Sequence, residues 1–174
     1  VPTGTLVAGK MHQTHGRLSL TGDGSLKAEL LGGPSRKANR AEATVALPKP
    51  NQRFGFGFTA QAQGEAKNMF QIIGPPYNGK GLGFGMADGR FYIQSDGKPD
   101  KPMDLGPNDG GWHRWDFDID YRDGGVVHVR KNGELVGSYR GNLLQGQRDA
   151  RLRMGSYNLS GKPATAQFRD VTLQ

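Results

Sequence analysis

WHRWDFDIDY, residues 112–121, alternates without a break: His113, Trp115, Phe117, Ile119 and Tyr121 fall on one parity, and Arg114, Asp116, Asp118 and Asp120 on the other. Successive side chains of a strand point to opposite faces, so this is the pattern of a strand with one buried and one wet side. FGFGFTAQA, residues 54–62, repeats it with Phe54, Phe56 and Phe58 on the inner parity. Small residues occupy the other parity there, as they do where something lies close against a strand's second face.

Turn signals punctuate these runs. Asn132-Gly133 lies between VVHVRK and ELVGSYR, and Asp88-Gly89 between GLGFGMA and RFYIQS. Both dipeptides favour the type I′ turn that joins antiparallel strands. Asp123-Gly124-Gly125 marks a further tight turn. More strands are predicted at GRLSLT, SLKAELL, RAEATVAL, MFQIIG, ARLRMGSY and ATAQFRDVTLQ. About a dozen short strands imply an all-β fold of two packed antiparallel sheets, a β-sandwich or jelly roll, and not βα units. A single domain over residues 1–174 is expected from the length and uniform character. Residues 142–149 have room for one helical turn. Residues 95–111, rich in Pro and Gly, read as a long exposed loop of the kind that edges binding sites.

Composition narrows the classes. Cysteine is absent, which excludes disulfides and thiolate metal sites and leaves the core to hold the fold. No segment approaches the roughly 20 consecutive apolar residues of a membrane span, so a soluble protein without a membrane partner is expected. The start at Val1 fits a processed chain and a trimmed one equally well. The formal net charge of +7 attracts polyanions through a long-range, salt-screened field. Nucleic acid, anionic lipid and acidic polysaccharide all answer to that. Against nucleic acid, the cations are dispersed along the chain and are not interleaved with exposed aromatics.

RLRMGSYN, residues 151–158, puts Arg151, Arg153, Gly155 and Tyr157 on one strand face and Leu152, Met154 and Ser156 on the other. Leu152 and Met154 read as core, which turns the two arginines and the tyrosine outward. The planar guanidinium fork suits carboxylates or sulfates, which it binds through two parallel hydrogen bonds.

RAEATV (residues 40–45), FQIIG (70–74) and RLRMGSYN occur in the order and at roughly the spacing of three signature strands of the alginate-lyase family. Those polysaccharide lyases are concanavalin-like jelly rolls whose motifs read R-[ST]-E-[LV]-R, Q-[IV]-H and Y-F-K-A-G-x-Y-N-Q. The chain also resembles them at the KNGE hairpin and the closing QFRDVTLQ. The resemblance implies that Arg40 neutralises a uronate carboxylate, that Glu42 braces the same strand and that Gln71 also contacts the carboxylate. Arg153 matches a basic subsite residue, Gly155 the motif glycine, and Tyr157 and Asn158 the second tyrosine and the asparagine after it. Two positions depart: Ile73 stands where the lyases carry the catalytic histidine, and Arg151 where they carry the tyrosine that handles the proton. The resemblance further implies a secreted or periplasmic location, a monomer, and an acidic polysaccharide as partner. It calls for no cofactor and no metal.

Eliminating across a uronate's glycosidic bond needs a base for the C5 proton, an acid for the leaving oxygen, and cations or donors for the charge that develops on the carboxylate. Arg40, Gln71 and Arg153 can supply the last. Isoleucine moves no proton, and arginine, which stays protonated at any ordinary pH, is a poor base. Losing an acid or base slows a reaction by about 10²- to 10⁴-fold, whereas sugar binding rests on other groups. Tyr157 shares the parity of Arg151 and Arg153 and is the candidate catalytic residue; Tyr77, His12 and His15 fall in loop-like or terminal stretches. The substrate-binding set is then Arg40, Glu42, Gln71, Arg151, Arg153 and Asn158. Two readings follow: an acidic-polysaccharide binder with β-elimination activity, or a purely non-catalytic binding module or lectin-like domain.

Each residue also has an ordinary structural reading. Arginines on an open sheet face are commonly solvated or paired with carboxylates, Gln71 can be polar filler, and Glu42 can pair with Arg40 or Arg153. Trp115 has core parity, whereas Trp112 stands at a strand edge. Of the four histidines, only His12 and His15 are spaced as a metal pair would be. Asp116, Asp118 and Asp120 are the right type for calcium, but Arg114 and Arg130 flank them. GLGFGMADG lacks the Lys-Ser/Thr end and the following helix of a phosphate loop.

Overall fold

The alternating runs become strands, and among the described residues none is helical. The structure, a computed structural model, describes residues 4–5, 10–13, 17–20, 26–30, 37–46, 53–73, 81–95, 102–120, 125–140, 149–158 and 164–173. Side chains are described at residues 53, 55–73, 81–95, 102–120, 125–140, 153–155 and 164–170. In chain order the strands are β1 (Gly4–Thr5), β2 (Lys10–Gln13), β3 (Arg17–Leu20), β4 (Leu26–Leu30) and β5 (Lys37–Ala46). There follow β6 (Arg53–Gly64), β7 (Phe70–Ile73), β8 (Gly81–Ala87), β9 (Arg90–Ser95) and β10 (Met103–Pro107). The last five are β11 (His113–Asp120), β12 (Val126–Lys131), β13 (Glu134–Arg140), β14 (Asp149–Asn158) and β15 (Ala164–Leu173).

They form two antiparallel sheets, one of eight strands in the order β13-β12-β11-β6-β15-β4-β3 with β1 paired to β15, and one of seven in the order β10-β9-β8-β7-β14-β5-β2. This is the expected all-β jelly-roll sandwich. Among the described residues no helix is long and apolar enough to cross a membrane.

The core lies between the inner parities of both sheets. Phe56, Phe58, Trp115, Phe117 and Phe168 come from the eight-stranded sheet, and Phe70, Ile72, Phe84, Phe91 and Met154 from the seven-stranded one. Phe58 sits against Phe70, Phe84, Phe117 and Phe168 with ring centroids 5.0, 5.9, 5.6 and 5.4 Å away. Such tilted and edge-on pairs suit the aromatic quadrupole. Ser95 Oγ meets Tyr139 Oη at 3.1 Å, linking β9 of one sheet to β13 of the other.

Both predicted hairpins form. Asp88 and Gly89 have φ of 52° and 74°, and Asn132 and Gly133 have 52° and 87°, the left-handed pair that a type I′ turn requires. The turn at Asp123-Gly124 and the helical turn predicted over residues 142–149 fall outside the described residues, except that Asp149 opens β14.

Two segments differ from expectation. The loop read at residues 95–111 contains β10, an edge strand paired to β9. His12, read as terminal loop, lies in β2, which pairs with β5. Neither strand has an apolar alternation strong enough to announce it, and each becomes a strand through the ladder its neighbour offers.

Candidate functional site

The three motif segments are consecutive strands, β7, β14 and β5, of the seven-stranded sheet. In register, Arg153 stands across from Gln71 on one side and Glu42 on the other. The row continues through Gly83 and Gln94 on β8 and β9, and through Lys10 on β2. One step along, Gly155 stands across from Arg40, which stands across from His12. Arg151 is paired with Ile73 and Thr44, and Tyr157 with Ala38. Positions 40, 42, 71, 151, 153, 155 and 157 therefore share the parity opposite to that of the core residues Phe70 and Met154. Asn158, the last residue of β14, falls on the alternate parity across from Lys37.

Among these residues side chains are described at Gln71, Ile73, Arg153 and Gly155. Gln71 is half-buried and has no side-chain hydrogen-bond partner among the described residues. Arg153 is also half-buried. Ile73, at the position of the lyase histidine, is buried yet stands apart from the central core cluster that holds Ile72.

Next to Gln71 lies a cluster that the sequence reading did not find. The segment 65–69, which connects β6 in one sheet to β7 in the other, crosses over β8, where Ala66 O accepts a hydrogen bond from Met86 N at 3.1 Å. Gly83 and Gly85 make room for it: a Cβ on Gly83 would stand 2.7 Å from Asn68 Oδ1, and one on Gly85 2.4 Å from Asn68 N. Asn68 has φ 48°, a conformation asparagine tolerates better than most residues. Its N–H donates to Tyr92 Oη at 3.0 Å, and its Oδ1 accepts from Tyr92 Oη at 3.3 Å and from Gln94 Nε2 at 3.1 Å. Burial pushes the Tyr92 phenol up, against a smaller opposing effect from the Asn68 N–H, so the hydroxyl stays protonated. The signal available in the sequence was the Gly83 and Gly85 alternation in GLGFG, the same mark of a close neighbour read in FGFGF.

At the sheet edge Arg90 grips Asp104 with two bonds of 2.7 and 2.8 Å. The hydrogen bond from Arg90 holds the Asp104 carboxyl below its ordinary range. Asp104 therefore binds fewer protons folded than unfolded. It adds stability above about pH 4, the ordinary carboxylate value, and loses it as pH falls through the lowered folded value. Asp104→Asn is expected to flatten this acid limb in urea unfolding between pH 2 and 7; identical pH slopes in variant and parent would contradict the pairing.

The outer face of the eight-stranded sheet is ion-paired. Asp118 is held by Arg53, and Asp116 Oδ1 by Arg114 at 3.2 Å. Arg114 Nη1 also donates to Asp170 O at 2.6 Å, and Arg169 lies 4.3 Å from the centre of the Trp112 ring. His113 Nδ1 accepts from Asn132 Nδ2 at 3.0 Å, which leaves Nε2–H to donate to Asp109 at 2.6 Å. Trp115 is fully buried in the core, whereas Trp112 is half-buried. Among the described residues no group of three or more His, Asp or Glu could hold a metal.

The two-layer jelly-roll sandwich is a fold found also in polysaccharide lyases and in botulinum neurotoxin binding domains. No protein-family model matches the sequence, and no curated protein matches it. Solved structures do match. The endo-β-1,4-glucuronan lyase of the fungus Trichoderma reesei is 15% identical, with a TM-score of 0.63 over 99% of this chain and 89% of that one. The alginate lyase AlyC3 is 11% identical, with a TM-score of 0.64 over 90% of this chain and 77% of that one. Botulinum neurotoxin type C, which depends on two ganglioside molecules to enter cells, is 13% identical, with a TM-score of 0.57 over 94% of this chain. This chain spans only 42% of that toxin chain. At such identities the likeness establishes the fold alone.

Proposed function

We propose that this protein binds an acidic, uronate-containing polysaccharide across the outer face of the seven-stranded sheet, as a lyase-like binder. The observation that carries the reading is the register: Gln71, Arg153 and Glu42 occupy one cross-strand row, with Arg40 across from Gly155 in the next. Residues 113 positions apart in sequence thus become diagonal neighbours, Arg40 and Arg153, close enough to act on one ligand. In this reading Arg40, Arg151 and Arg153 neutralise carboxylates, Gln71 donates to them, and Glu42 braces the strand that carries Arg40. Gly155 leaves space for a ring near the sheet. A secreted or periplasmic location, a monomeric state and a single domain belong to the same reading.

The non-catalytic version is favoured by Ile73, buried and aliphatic where the lyases have their histidine. In the eliminating version Tyr157, on the parity of Arg151 and Arg153, carries the proton.

Calorimetric titration with oligoglucuronate and oligoalginate tests both. Arg40→Ala and Arg153→Ala are each expected to weaken binding by about 10- to 100-fold, the loss for a hydrogen bond to a charged group. The parent's affinity is expected to fall as salt rises. Full affinity in the double variant would overturn the proposal. Ultraviolet absorbance from unsaturated products, abolished in Tyr157→Phe, would establish elimination; no absorbance leaves the protein a binder.

A further inference from the structure

The outer face of the seven-stranded sheet divides by charge. On β14, β5 and β2 it carries the positions of Arg151, Arg153, Arg40, Glu42 and Lys10. On β7, β8 and β9 the same row carries Gln71, Gly83 and Gln94. The described ionic side chains beside it pair off, Arg90 with Asp104 at the edge and Lys67 with Glu65, 3.9 Å apart, in the segment over β8.

The uncharged half is built from amides held in place. Gln94 is only 6% exposed; its Nε2 donates to Asn68 Oδ1, and its Oε1 has no partner among the described residues. Asn68 Oδ1 receives two donors, Tyr92 Oη and Gln94 Nε2, and its Nδ2 has no partner among the described residues. Gln71 on β7, proposed above to donate to carboxylates, marks where this half meets the charged one. Gln94 Oε1 is not among the buried atoms left without a partner, so it reaches solvent, an acceptor fixed by the bond from Gln94 Nε2 to Asn68 Oδ1 and open to a ligand.

We propose that Asn68 and Gln94 form a subsite for an uncharged sugar ring, next to the carboxylate site that Gln71 borders. The glycan this protein takes would then have a neutral unit next to a uronate; the uronate half of that statement rests on the function proposed above. A sugar hydroxyl gives one hydrogen bond and accepts others, so a pair of hydroxyls matches an unpartnered amide N–H beside an amide oxygen. A carboxylate only accepts, and would meet the Gln94 oxygen with nothing to offer it. The amides are preorganised: the backbone of Asn68 is clasped by Tyr92 and its side chain by Gln94, so little freedom is lost when a ligand arrives. From β9 to β14 is three strand steps, about 14 Å, enough for adjoining rings to lie on the two halves.

The test titrates the protein with cellotetraose, with oligoglucuronate, and with an oligosaccharide alternating glucose and glucuronate. In the parent, the side-chain amide NMR signals of Asn68 and Gln94 are expected to move with cellotetraose and with the alternating oligomer, and the alternating oligomer to bind about tenfold more tightly than oligoglucuronate. Gln94→Met, of similar volume, should erase that tenfold preference while leaving oligoglucuronate binding unchanged. Equal losses for both ligands, no loss for either, or amide signals unmoved at saturation would overturn the subsite. Should Gln94→Met fail to fold, the amide signals of the parent decide alone. The two proposals separate cleanly. Arg153→Ala without effect on oligoglucuronate removes the acidic half, while amide shifts with cellotetraose keep the neutral subsite standing.

Discussion

Phe58→Ala is expected to lower the unfolding free energy by about 3–5 kcal/mol, the range for emptying a buried aromatic site. Phe58 is fully buried on β6, and its ring touches Phe117 and Phe168 of its own sheet and Phe70 and Phe84 of the opposite one. It is thus a point where the two layers share one side chain. Four ring partners in strands on both sheets cannot all close on the hole, because each is fixed by its own ladder, so the cavity persists. Against a total stability of about 5–15 kcal/mol the loss is large. Urea unfolding at neutral pH measures it, with an unchanged m-value expected; a loss below about 1 kcal/mol would mean that the layers collapse freely around the site. Phe58→Leu, which keeps most of the volume, is expected to lose less than half as much.

Much of this architecture was legible because parity is a local property of the chain. Residues 112–121 announce β11 by themselves, and Trp115, Phe117 and Ile119 are buried where the alternation puts them. The same holds for Phe56 and Phe58, and for Met154 inside RLRMGSYN. The two hairpins were equally clear, since Asn-Gly and Asp-Gly supply consecutive left-handed residues cheaply. β10 was hidden because MDLGP carries a glycine and a proline and needs only one partner, β9, to become an edge strand.

The site was legible in part and for a different reason. Periodicity says which way Arg153 points but not which strand lies beside it; the neighbours β7 and β5 were reached through the motif resemblance. The Asn68 cluster was out of reach of both. It depends on a connection between sheets landing over β8, a tertiary event that leaves no trace in the sequence except the glycines that permit it. Asn158 shows the limit of carrying a motif over residue by residue. Its neighbour Tyr157 keeps the parity of Arg153, while Asn158 itself does not, so the two cannot act on a ligand in the same way.

Glycines separate the structural from the permissive positions. Gly85→Ala is expected to cost about 3–5 kcal/mol, summing the typical penalty of overpacking with two buried hydrogen bonds of about 1 kcal/mol each. A Cβ there would stand 2.4 Å from Asn68 N, 2.8 Å from Tyr92 Oη and 2.9 Å from Ala66 O. Two of these atoms are backbone, so segment 65–69 must lift, and the bonds Met86 N to Ala66 O and Asn68 N to Tyr92 Oη go with it. Gly81→Ala belongs with it, because its Cβ would fall 1.9 Å from Ile72 O at a φ of +144°. Gly55 is the control: the nearest atom to its Cβ is Phe117 O at 3.6 Å, an ordinary contact, so alanine there is expected to change stability by less than about 1 kcal/mol. Thermal melts of the three variants measure the ranking. Since lifting segment 65–69 also displaces the Asn68 amide, Gly85→Ala should lose any discrimination between neutral and acidic sugars, and Gly55→Ala should keep it. A Gly85→Ala protein as stable as the Gly55→Ala one would mean that this segment does not rest on β8, and the amide cluster would have no floor.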